Sequence, residues 1–351
     1  MCTHESSVPA RRASKIANTC IWAKYSLPGR IRNNVIESRD MHHNFTEAIS
    51  VLFECFVQFF VIEAIQVTDL VIGNIQIDRI VEMILPFETI PNFYPDARPE
   101  QIEACRPMFE PWALCPQTGK IILVVQSYLV RTGHHTILID TCVGCDKTIP
   151  FYGEWNQRSD RSWLTKLAES GVSVTDVDFV FCTHLHCDHV GWNTQLLDGR
   201  WVPTFPNAKY IMSRQDFELA QETNDPGFGE NLLPVVEAGQ ARIVDTDYAM
   251  DEHIWLEPTP GHTPGHVAVG LASNGAEAVM CGDLIHSPVQ CVYPEWNAAS
   301  DANPDQAAKT RRTFLSENCD RERLVMAAHF PEPSIGRVVR ADDAFRFVFS
   351  G

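Results

Sequence analysis

The stretch Thr183-His184-Leu185-His186-Cys187-Asp188-His189-Val190-Gly191 packs three histidines and an aspartate into six consecutive positions. Imidazole nitrogens and carboxylate oxygens are the donors that borderline divalent transition metals prefer. Four ionisable groups this close repel one another or stay solvated unless a positive charge organises them. The stretch therefore reads as the centre of a metal site. Before it runs Asp178-Phe179-Val180-Phe181-Cys182, a strand-forming segment. Alternate residues of an extended backbone point to one side, so His184 and His186 are expected to grip the same ion. Asp188 and His189 come after the chain turns and suit a second ion better.

Two ions need further ligands from downstream, and three candidates follow in order. They are His262 in Pro260-Gly-His-Thr-Pro-Gly-His266, Asp283 in Cys281-Gly-Asp, and His329 in Ala327-Ala-His-Phe-Pro331. Each stands where a short apolar run meets a Gly or Pro turn, the place where a rigid scaffold presents functional groups. His266 reads as a packing or supporting residue. His4, His42, His43, His134, His135 and His253 lie in no comparable pattern and read as non-ligands.

With these motifs, and Leu138-Ile-Asp140-Thr141 ahead of them, the sequence resembles the metallo-β-lactamase-fold hydrolase superfamily over roughly residues 68 to 350. The resemblance implies an αββα sandwich with the metals at one edge. It implies that His184, His186 and His262 hold one ion, that Asp188, His189 and His329 hold the other, and that Asp283 bridges them. Asp140 would orient a ligand by hydrogen bonding rather than bind metal. Zinc is the default pair of ions, with manganese, iron or cobalt compatible with the same donors.

The coarse element pattern points the same way. Val71 to Leu85 reads as a hairpin, Lys120 to Arg131 and Thr136 to Asp140 as strands, and Lys209 to Met212 as another strand. Ile254 to Glu257 reads as a strand, and 266–272 and 276–281 as a pair joined at Ser273-Asn-Gly275, a hairpin turn signal. Leu324 to Ala328 reads as a strand delivering His329. Helices are expected over Ser162 to Ser170, with Gly171 as cap, over 214–222, and over Pro304 to Asn318. Strands in two groups with helices between them suggest two stacked mixed sheets with helices outside.

Composition bounds the function. The 351 residues are 45% hydrophobic and carry a formal charge of −17, so a nucleic-acid partner is not expected. Cys142-Val-Gly-Cys145 has no second pair to make a zinc ribbon, and the twelve cysteines read as reduced thiols of a cytoplasmic protein. Residues 1–66 read as an extension to a catalytic domain at 67–351. Its apolar stretch Ala48 to Ile65 is interrupted by Glu54, Gln58 and Glu63. It is read as an amphipathic helix that packs on the enzyme or supports a homodimer, or else as a poorly ordered extension, not as a membrane span.

The expected chemistry is hydrolysis of a small ester or lactone by a water that two ions share and activate near neutral pH. Asp188 is the candidate to take up the released proton. The bridging aspartate counts against a true β-lactamase and fits lactonases, thioesterases and phosphoesterases. In the acyl-homoserine lactonase branch a tyrosine typically stands three residues after that aspartate. Here the position is His286, and the local run looks more like the methyl-parathion-hydrolase-related branch. His286 is read either as a donor to the leaving group or as a turn cap. Trp112, Phe151, Tyr152, Trp155, Trp192, Tyr293 and Trp296 are expected in loops near the metals, with Trp192 the preferred pocket residue. The competing readings are a phosphotriesterase, a mononuclear iron dioxygenase, and a non-catalytic metal-binding module of the same fold.

Overall fold

Ten consecutive residues of one strand, Ile121 to Val130, are buried. Only a strand covered on both faces can be buried throughout. In the computed structural model, which describes residues 70–223 and 227–350, that strand lies inside a four-layer sandwich.

The first sheet has the order β1-β2-β3-β4-β5-β8-β9. Its strands are β1 (Leu70–Ile72), β2 (Ile75–Thr89), β3 (Lys120–Arg131), β4 (Thr136–Ile139), β5 (Phe179–Phe181), β8 (Lys209–Ser213) and β9 (Ala241–Val244). β6 (Thr194–Leu197) and β7 (Arg200–Pro203) form a separate hairpin. The second sheet runs in sequence order: β10 (Ile254–Pro258), β11 (Val267–Ser273), β12 (Ala276–Met280), β13 (Leu324–Met326), β14 (Ile335–Ala341) and β15 (Ala344–Phe349). Pairing is parallel from β4 to β9 and between β12 and β13, and antiparallel elsewhere.

Side-chain alternation builds three apolar layers from these sheets. Tyr128, Val130, Ile137, Ile139 and Phe181 from the first sheet meet Leu256, Val269, Leu271 and Met280 from the second. On the outer face of the first sheet, Leu123, Val125, Leu129 and Leu138 pack with Trp163 and Leu167 of the helix Ser162–Glu169. On the outer face of the second, Val279, Val325 and Val338 pack with Phe314 and Leu315 of the helix Pro304–Asn318. That helix is capped by Asn303, whose side chain accepts from the Gln306 backbone N–H, and begins with proline.

Most expected elements stand within a residue or two of their places. The hairpin at Asn274 (φ 51°) and Gly275 (φ 79°) has both central residues left-handed, as a tight two-residue turn demands. The segments not anticipated include the helix Pro99–Phe109, the short helices Ile90–Phe93, Leu233–Glu237 and Val289–Val292, the β6–β7 and β14–β15 hairpins, and β9. The strand expected to reach into the histidine cluster stops at Phe181, and His184 and His186 occupy the bend after it. The apolar segment Ala48 to Ile65 and the proposed boundary at 66 lie outside the described residues. Among the described residues no helix is long and apolar enough to cross a membrane.

Candidate metal centre

The two sheets bring their ligand-bearing ends to one edge. From the first sheet, the bend after β5 carries His184 and His186, and a single helical turn, Cys187–Val190, carries Asp188 and His189. From the second sheet come His262 beyond β10, Asp283 beyond β12 and His329 beyond β13. The potential ligand atoms fall into two groups: His184, His186, His262 and Asp283 in one, Asp188, His189 and His329 in the other.

Asp283 spans the two groups. Its Oδ2 lies 3.3 Å from His262 Nε2 and 3.7 Å from His184 Nε2. Its Oδ1 lies 3.1 Å from His189 Nε2 and 2.9 Å from His329 Nε2. Asp188 Oδ2 reaches 3.6 Å from His329 Nε2 and 3.7 Å from His189 Nε2. Within the first group His262 Nε2 and His186 Nδ1 stand 2.9 Å apart, and within the second His329 Nε2 and His189 Nε2 stand 3.2 Å apart.

These contacts test the fit of a cation. Ring nitrogens that face each other at such separations need a proton or a cation between them, because two lone pairs repel. His184 Nε2 and Asp283 Oδ1 are buried with no hydrogen-bond partner. A buried polar atom left unpaired is costly. Five imidazoles and two carboxylates, with no thiolate among them, suit divalent zinc, manganese, iron or cobalt. The residues fit a pair of such ions.

Electrostatics divide the cluster. Burial, then the neighbouring histidines, hold His184 and His186 well below the ordinary imidazole range. Burial also pulls on His189, but the Asp283, Asp188 and Asp140 carboxylates outweigh it and hold that ring well above. Burial opposes ionisation of Asp283, yet His189, His329, His286 and His184 hold its carboxyl far below the usual carboxylate range.

The far sides of the rings are fixed. His189 Nδ1 donates to Asp140 Oδ2 (2.8 Å), His262 Nδ1 to Asp301 Oδ1 (2.8 Å), and His329 Nδ1 to the Val124 carbonyl (2.7 Å). The Thr183 hydroxyl donates to Asp140 Oδ2 (2.8 Å) and accepts from His184 Nδ1 (3.1 Å). Each bond settles a tautomer and aims Nε2 inward. Asp140 thus stands where the sequence placed it. His266, which burial pushes down to about 3, is neutral, and its Nε2 accepts the Asp283 backbone N–H at 3.0 Å.

Asp301 carries no motif and sequence reasoning missed it. It is paired with the fully buried Arg311, whose Nη2 lies 3.3 Å from Asp301 Oδ2. Arg311 also donates to the carbonyls of Leu284, Pro294 and Trp296, which pins the loop that carries His286. His286 Nε2 sits 3.2 Å from Asp283 Oδ2, while its backbone N–H donates to Gln290 Oε1 (2.7 Å). The turn is therefore held by the backbone, and the ring faces the cluster.

The aromatic expectations need correction. Trp192 is not a pocket wall: it is fully buried, stacks on Trp163, and donates its indole N–H to Glu82 Oε1 at 2.7 Å. Trp155 and Trp296 are also buried, and Phe151 and Trp112 are exposed. The unanticipated Phe93 lies edge-on to His286, with ring centroids 5.3 Å apart. Phe87 connects Phe93 to Tyr152. The motif itself meets solvent at its middle, where Leu185, His186 and Cys187 are only half-buried.

The sequence model of the metallo-beta-lactamase superfamily matches residues 122–329. An N-acyl homoserine lactonase of Bacillus sp is 29% identical over 169 residues, covering 45% of this chain and 62% of that relative. The chain spans less than two thirds of the length of such relatives. Two solved structures share the fold. AidC, a dizinc quorum-quenching lactonase in complex with a product, matches with a TM-score of 0.66 and 21% identity over 80% of this chain and 96% of that one. The hydrolase AbOPH of the beta lactamase superfamily matches with a TM-score of 0.68 and 24% identity over 82% of this chain and 99% of that one.

Proposed function

This chain belongs to the metallo-beta-lactamase superfamily, and from that premise we propose that it is a two-metal hydrolase of small esters or lactones. The observation that carries the proposal is the reach of Asp283, one oxygen toward each histidine group. In this reading His184, His186 and His262 would hold one ion, Asp188, His189 and His329 would hold the other, and Asp283 has an oxygen within reach of each group. The pair is read as zinc, as in the dizinc neighbour. When bound, such ions supply a water activated near neutral pH and a Lewis acid for the acyl oxygen.

The protein's own part is to orient and to move protons. Asp188 is the least buried member of the second group and is the base that would take the proton released on attack. His286, whose Nε2 lies 3.2 Å from Asp283 Oδ2, is the donor to the departing oxygen in this reading. The rings of Phe93, Phe87 and Tyr152 offer an apolar side to the acyl or aryl part of the substrate. Asp283→Ala is expected to lose both ions in metal analysis and to lower ester turnover at least about 10³-fold. Retention of two ions with full turnover would overturn the assignment.

A second reading, a phosphotriesterase, is favoured by one observation: a histidine, not a tyrosine, stands three residues after Asp283. Turnover of matched aryl esters, lactones and aryl phosphotriesters by the zinc-loaded protein separates the two. A panel led by the phosphotriester would displace the lactone reading.

A further inference from the structure

We infer that Glu82 is a positioning residue for the second metal group: with the Trp192 indole it clamps the loop Asp140–Gly144 against the segment His189–Asn193 and so fixes the aim of His189. The inference rests on the two-ion reading above.

Glu82 stands at an irregularity of β2, where the pairing register with β3 slips between Val81 and Met83. A bulge re-aims the side chain it carries. The carboxylate is buried, and it accepts from the backbone N–H groups of Val143 (2.9 Å) and Gly144 (3.1 Å) and from Trp192 Nε1 (2.7 Å). Among the described residues no cation stands within ion-pair distance of it, and its three donors, together with the more distant charge of Arg158, offset the cost of its burial. Those backbone donors are turned inward by a loop that takes positive φ at Asp140 (57°), Cys142 (52°) and Gly144 (77°).

That loop is zipped to the segment carrying the ligands. The Thr141 N–H donates to the His189 carbonyl (2.7 Å), the Gly191 N–H to the Cys142 carbonyl (2.7 Å), and the Trp192 N–H to the Thr141 carbonyl (2.8 Å). There is no slack: a Cβ on Gly191 would lie 1.9 Å from the Val143 carbonyl oxygen. Asp140, at the start of the loop, holds His189 Nδ1 directly. A shift of Val143 and Gly144 is thereby passed to the turn that bears Asp188 and His189. His262 and Asp283 hang from the other sheet and feel it least.

The test is zinc titration of the metal-free full chain against a chromophoric chelator. It is run at pH 8, above the value of about 7 to which burial raises Glu82. The wild type is expected to take two ions. In Glu82→Gln an amide nitrogen faces an N–H donor, and affinity for the ion of the second group should fall about 10- to 100-fold, while the other ion, reached only through Asp140 and Thr183, is weakened much less. Trp192→Phe removes one donor only and should weaken the same ion to a lesser degree; it carries the test if Glu82→Gln does not fold. Equal weakening of both ions, as a merely structural role gives, or no weakening in either variant, overturns the inference. A wild type that takes one ion overturns the two-ion reading instead.

Discussion

Asp140 and Asp301 perform the same task from opposite sheets, and they are supported in opposite ways. Asp140 closes β4, holds His189, and reaches His184 through Thr183. Its carboxylate is satisfied by neutral donors, the Thr183 N–H and hydroxyl, together with the His189 ring. Asp301 holds His262 alone and sits against a buried arginine. Both carboxylates raise the imidazole they hold, Asp140 at His189 and Asp301 at His262. They differ in support and in reach: neutral donors and two ligands on the first-sheet side, a buried ion pair and one ligand on the second.

The contrast is open to breakage at several strengths. The largest effect belongs to Arg311→Met, which leaves Asp301 buried without its cation and frees three carbonyls. It should lower unfolding stability by about 3–5 kcal/mol in denaturant titration, with metal affinity disturbed at His262. Asp140→Asn should cost about 10- to 100-fold in metal affinity. Cobalt spectra should show both groups perturbed, because Asp140 serves His189 and His184. Asp301→Asn should perturb one group only; matched spectra from the two variants would end the comparison.

An effect of similar total size, but spread along the pH scale, concerns Lys147, which donates to Thr194 Oγ1 and lies 3.7 Å from the Trp201 ring centroid. Burial lowers its pKa from 10.5 to about 7. A depressed lysine binds its proton less tightly folded than unfolded, so stability is full at high pH and falls as pH drops toward the folded value. Between pH 10 and 7 it accounts for about 1.4 kcal/mol per pH unit, a slope that Lys147→Met should remove from the stability profile. The smallest effect is Thr310→Ala, which loses one bond to the Pro260 carbonyl (2.7 Å) beside His262 and should cost about 1 kcal/mol.

The same asymmetry governs what the sequence discloses. Asp140 was legible because it ends an apolar strand in a recognisable run, and the seven ligand candidates were legible because each closes a strand or opens a turn. Asp301 lies in Ala298-Ala-Ser-Asp-Ala, a stretch with no periodicity, and its meaning comes from Arg311 ten residues on. Glu82 looks like one more polar residue of a strand; its place at a bulge, against the Val143 and Gly144 N–H groups, appears only in the fold. Trp192, read from its nearness to His189, illustrates the converse error, since sequence proximity does not say which side of a turn a ring occupies. The aromatic neighbour of His286, Phe93, lies in a short helix (Ile90–Phe93) that carries no motif.

Asp283 also sits on the seam between two half-molecules. Four of the ligand candidates belong to one half and three to the other, so a cation held among them is a rivet joining layers otherwise united by apolar packing. Loading should then raise resistance to heat by an increment that grows with the logarithm of free ion concentration. Starvation for metal would loosen the sandwich from its open edge, exposing the protein to degradation before its core gives way.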